Sequence, residues 1–133
     1  MRDLEHAQMM IELAAKDLKA VAAMGDTASF DIEIIGFHAQ QAVEKATKAW
    51  LSYTGTEYPK THDITLLLNL LRQNGESIPE RFESLIDLND FAVQFRYEIL
   101  EPTGISIDRR LMVERVSEFV HFVQNKVTGS TDE

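Results

Sequence analysis

The 133-residue chain contains no cysteine, only six glycines and only three prolines. Without a thiol there can be neither a disulfide framework nor a Cys-ligated zinc site. So few chain breakers, and no alternating apolar–polar run bounded by turn residues, argue against strands and for a wholly helical fold. No stretch approaches the roughly 18 consecutive apolar residues that a membrane-spanning helix needs. The opening residues MRDLEHAQMM lack the basic-then-apolar order of a signal peptide, so a cytoplasmic protein is expected. Positive charge is scarce as well: 13 Lys and Arg stand against 22 Asp and Glu, a net charge of −9. That field repels phosphates, and broad nucleic-acid binding is not expected, although a local basic groove stays compatible with it.

Hydrophobic residues make up 44% of the chain and charged residues 26%, as in ordinary soluble domains. The length suits one domain able to bury roughly two-thirds of its unfolded surface. Leu4, Ala7, Ile11, Ala14, Leu18 and Val21 recur at helical steps over residues 3–24, with Glu12 and Lys16 placed as an i,i+4 pair and Gly25 as the stop. Further helices are predicted over residues 63–73 and 108–127. Another runs from about 80 to 97 behind Ser77-Ile-Pro-Glu80, which reads as a capping box with proline just inside the helix. Pro59 holds its loop extended, and Asn74-Gly75, Pro102 and Gly104 break the chain. These spacings predict an all-α, up-and-down bundle of four to five helices in a single domain, residues 1–127, with a frayed tail at 128–133.

One stretch departs from an ordinary surface helix. Over Phe30–Leu51, Ile35, Ala39, Ala42, Val43, Ala46, Ala49 and Trp50 gather on one side, joined by Tyr53. His38, Gln41, Glu44, Lys45 and Lys48 take the other, yet Phe30, Ile34, Phe37 and Leu51 stand among them. A helix facing open water has no use for large apolar residues inside its polar stripe. The pattern predicts a central helix with its second side in a cleft or a subunit interface.

His38, Gln41, Lys45 and Lys48 share that face, where two ammonium groups a turn apart could hold phosphate oxygens. Equally, Glu44 and the lysines could simply pair with one another. At His62-Asp63 the simplest reading makes Asp63 or Thr61 a helix N-cap. The alternative makes His62 a ligand contact, or a proton donor poised by the neighbouring carboxylate. Four histidines with no ligand-like spacing predict no metal site. No phosphate loop or nucleophile elbow is present either, and no cofactor is expected.

The run Phe37-His38-Ala39-Gln40-Gln41-Ala42-Val43-Glu44-Lys45-Ala46-Thr47-Lys48-Ala49, followed by a proline loop and then Thr61-His62-Asp63-Ile64 with Leu67-Leu68, resembles the HEPN domain, a helical nucleotide-binding family of prokaryotes and higher eukaryotes. Phe95-Arg96-Tyr97 before an acidic, proline-bearing loop fits as well. The resemblance implies a helical bundle, a homodimer, and a nucleotide cleft along the long second helix. It further implies pairing with a minimal nucleotidyltransferase in a two-component, toxin–antitoxin type of system. Carried onto this sequence, the ligand-binding positions are His38, Gln41, Glu44, Lys45, Lys48, His62 and Asp63, with Arg96 and Tyr97 as a second block.

Some members of that family are ribonucleases marked by Arg-x4–6-His. After Arg96 the required positions hold Glu101, Pro102 and Thr103. Arg115 and His121 have the spacing but lie within one helix, where six residues separate side chains by about 120°. The sequence therefore favours a non-catalytic nucleotide-binding or partner-docking module. A metal-independent ribonuclease and a pure dimerisation element are the alternatives.

Overall fold

Periodicity becomes packing in a bundle of antiparallel helices. The computed structural model describes residues 3–25, 31–91 and 109–129. Among them are α1 (Leu4–Gly25), α2 (Ile32–Thr54), α3 (Ile64–Gln73), a 3₁₀ segment (Glu80–Leu88) and α4 (Arg109–Thr128). No strand occurs among the described residues. Phe30, Phe95, Arg96, Tyr97 and the Pro102–Gly104 break lie outside them.

α1 and α2 run antiparallel: the Asp3 amide donates to the Ser52 carbonyl at one end, and Lys45 meets Asp17 further along. Ala7, Ile11, Ala14 and Val21 of α1 are fully buried against Ile35, Ala39, Ala42, Val43 and Ala46 of α2 and Val116, Val120 and Val123 of α4. The alanines let the helix axes approach closely, and each buried aliphatic side chain contributes about 1.5–3 kcal/mol of hydrophobic stabilisation. Trp50, Phe82, Phe119 and Phe122 form an aromatic cluster, with Phe82 and Phe119 edge-to-face at 5.0 Å. Trp50 is completely enclosed, and its Nε1–H donates to Glu76 at 2.9 Å, so the core holds no orphaned indole.

Helix ends follow local chemistry. Gly55 takes the left-handed conformation (φ 82°), and its N–H caps the Leu51 and Ser52 carbonyls at the end of α2. Asp63 is the N-cap of α3, accepting from the Thr65 and Leu66 amides, which is the simplest of the sequence readings. Gly36 lies inside α2 because Phe91 packs on it: a Cβ there would meet the ring at 2.5 Å.

The structure corrects four expectations. The first part of the helix expected over residues 80–97, Glu80–Leu88, is a nine-residue 3₁₀ helix; residues 89–91 are α-helical and 92–97 lie outside the described residues. Its buried residues Phe82, Leu85 and Leu88 recur every third position, the repeat that stacks on one face of a 3₁₀ helix. Pro79 is itself the N-cap, extended at ψ 141° and without a side-chain cap bond, so Ser77 and Glu80 form no capping box. Glu12 and Lys16 make no ion pair. On α2, Leu51 is fully buried and Glu44 is only 4% exposed, so the helix is enclosed over more than its apolar stripe.

Candidate functional site

Glu44 is the centre of the polar side of α2. Its carboxylate accepts from Gln40 Nε2 (3.0 Å) and Lys48 Nζ (2.8 Å), each one helical turn away, and from His62 Nδ1 (3.0 Å) in the loop before α3. Gln40 Nε2 also donates to the His62 backbone carbonyl at 2.9 Å, and Gln41 Nε2 donates to Gln40 Oε1 at 2.8 Å. Two strands of contact, one through the His62 ring and one through its carbonyl, therefore tie the loop to α2.

Burial of the Glu44 carboxyl pushes its pKa upward. Hydrogen bonds from Lys48, His62 and Gln40, with the Lys48 charge, outweigh this and hold it below the ordinary glutamate value. A carboxylate can only accept, so Nδ1 of His62 carries the proton in this contact. The imidazole is thereby oriented with Nε2 away from Glu44, on a side chain that is 53% exposed.

Lys48 extends the network. Its ammonium lies 5.6 Å from the centre of the Tyr58 ring, and the Tyr58 hydroxyl is 2.9 Å from His6 Nε2. Burial raises the Tyr58 pKa, Ser52 opposes this by hydrogen bonding, and the Glu44 and Asp3 carboxylates add to the rise. The phenol thus stays neutral. Beside it an open groove of about 450 Å³ is lined by Tyr58, His6, Asp3 and Glu57 among others.

A second network surrounds Asp17 of α1. Lys45 Nζ donates to it at 2.7 Å, and His38 Nδ1 lies 3.7 Å from its other oxygen. The sequence-predicted residues thus divide: Gln41, Glu44, Lys48 and His62 converge on one corner, while His38 and Lys45 belong to Asp17. Asp63 turns away to cap α3 and to accept from Asn89 Nδ2, so the carboxylate that orients His62 is Glu44 and not its sequence neighbour. Arg96 and Tyr97 lie outside the described residues.

Arg115 and His121 have separate partners. Arg115 donates to Glu118 at 3.0 Å, and the His121 ring is 3.4 Å from the Ser117 hydroxyl. Gln40, Asp17, Tyr58 and His6 escaped the sequence reading. For Gln40 a signal existed, since it sits four residues before Glu44. His6 and Asp17 reach the site from α1, and Tyr58 comes from the loop that carries His62. Among the described residues, no group of three or more His, Asp or Glu side chains could hold a metal ion, and no helix is long and apolar enough to cross a membrane.

The family model of the HEPN domain matches residues 7–127. This chain belongs to the HEPN family. Its fold matches the crystal structure of ST0689, an archaeal HEPN homologue, with a TM-score of 0.66 at 21% identity, over 96% of this chain and 99% of that one. No curated protein matches the sequence. The second HEPN helix is α2, and the loop before α3 supplies the His62 that completes its polar corner.

Proposed function

We propose that this HEPN domain is a non-catalytic recognition module that takes a nucleotide at the Glu44–Lys48–His62 corner and works beside a minimal nucleotidyltransferase. The observation that carries this reading is a nearly enclosed carboxylate whose donors include a half-exposed imidazole. A buried ion pair is seldom more stabilising than apolar residues of the same volume, so its presence points to a fixed recognition geometry. Lys45 and Lys48 are each neutralised by a carboxylate, so recognition rests on directed hydrogen bonds at the outward Nε2 of His62 and from Lys48, and on the neighbouring Tyr58, with little net positive charge.

The ribonuclease reading receives less support, because Arg115 and His121 are engaged with Glu118 and Ser117. A homodimer accords with the family, and a toxin–antitoxin pairing is the arrangement in which such a module would serve its nucleotidyltransferase. The test is the thermal stability of the full chain against a panel of mono- and dinucleotides. A ligand selective for the folded state must raise the melting temperature. At least one nucleotide is expected to do so, and a flat response to all would reject this reading.

A further inference from the structure

Charge is distributed unevenly over this acidic chain. Lys45 and Lys48 are paired, but Lys16 and Lys19 of α1 and Arg110 of α4 are exposed, with no carboxylate in ion-pair range among the described residues. All three line one feature. A cavity of about 490 Å³ between α1 and α4 takes in Lys16 and Lys19, and a second of about 410 Å³ takes in Arg110. The two share Val113 and Ser117 and so form one continuous groove. Among the described residues, Glu114 is the one carboxylate on its walls, against three cations, in a chain whose net charge is −9.

The walls decide what such a groove can hold. Ala15, Leu18, Ala22 and Val113 give it an apolar floor. Apart from Gly25 and Arg110 at its far end, the lining residues sit in helix interiors, where the backbone N–H groups are already bonded within the helix. His121 is the one ring among its described lining residues, and its Nδ1 lies 3.4 Å from the Ser117 hydroxyl on the same wall. A phosphate would meet side chains alone, the ammonium and guanidinium groups with the Ser117 hydroxyl, the His121 ring and the Gln124 amide, and no helix-interior backbone amide to fix it. An apolar floor between cationic rims instead complements a helix with an apolar stripe and acidic flanks. Arg110 to Gln124 spans about 21 Å of α4 at ~1.5 Å per residue, room for roughly four turns of a docked helix.

We infer that the α1–α4 groove is a docking site for an acidic amphipathic helix of a partner protein. It is independent of the Glu44 corner, and variants of Lys48 or His62 leave it intact.

The test uses fluorescence anisotropy of the full chain with a labelled peptide of about four turns, bearing a leucine–alanine stripe flanked by glutamates. The control replaces each glutamate by lysine, and a third probe is a labelled single-stranded oligoadenylate. The acidic peptide is expected to bind saturably, the lysine peptide not to bind, and the double variant Lys16→Glu/Lys19→Glu to lose at least about tenfold in affinity, or about 1.4 kcal/mol. Ser117→Trp, which fills the groove without touching the lysines, should produce a similar loss. The inference is overturned if the acidic peptide fails to bind or binds both variants as well as the parent. It is also overturned if the oligoadenylate binds in a Lys16- and Lys19-dependent manner in the peptide's place. Sedimentation showing that Ser117→Trp converts a dimer to monomer would overturn it too, since the occupant would then be a second copy.

Discussion

The Glu44 carboxylate and the His62 imidazole meet at 3.0 Å although 18 residues separate them in the chain. That contact joins the middle of α2 to the loop entering α3, and it sets both the stability of the corner and what the corner presents outward.

Replacing Glu44 by Gln removes the acceptor charge for Lys48, whose side chain is only 14% exposed, and the expected loss at neutral pH is about 2 kcal/mol. Urea denaturation followed by the fluorescence of Trp50, the single tryptophan, measures it.

The pH dependence follows from the same residue. Its native pKa lies below the ordinary 4.5, so its contribution is fully present above pH 4.5 and is lost as pH falls through the lowered native value. The parent chain should lose this stability in the acid range. Glu44→Gln should show a correspondingly shallower acid limb; parallel limbs would mean that the carboxylate is not held in its charged form.

Asp63→Ala should cost about 1 kcal/mol, because it leaves the Thr65 and Leu66 amides without their cap. Asn89→Ala should cost a similar amount, since its side chain accepts from the Ile64 amide at 2.8 Å and donates to Asp63 and Thr65. The two residues share one network, so the double variant should fall short of additivity.

Gly36→Ala should destabilise by about 1–3 kcal/mol, since the new methyl collides with the Phe91 ring. Phe91→Leu should relieve part of that cost in the same background, and thermal unfolding of the four proteins closes the cycle.

Much of this molecule was legible in its sequence because its causes are local. The apolar spacing of Ile35 through Trp50 specifies the buried side of α2, Gly55 its end and Asp63 the start of α3. The Glu44–Lys48 pair is visible as an i,i+4 spacing. What could not be read depends on distant parts of the chain. Lys45 is claimed by Asp17 on another helix, and His62 by Glu44 in preference to the adjacent Asp63. The three-residue spacing of Phe82, Leu85 and Leu88 was open to view, but a helix of 3.6 residues per turn tolerates it over two turns, and packing selects the tighter 3₁₀ form. Leu51 sits at the edge of the polar stripe on a helical wheel, yet it is wholly buried because the enclosed arc of α2 is wider than one stripe.

Calorimetric titration of the full chain with mono- and dinucleotides, repeated with His62→Ala and Lys48→Ala, tests the central claim most directly. Saturable binding to the parent, weakened at least about tenfold, or 1.4 kcal/mol, in each variant while its fold is retained, is the predicted result. Absence of binding by every nucleotide, or equal affinity in parent and variants, would contradict the assignment of this corner as the nucleotide site.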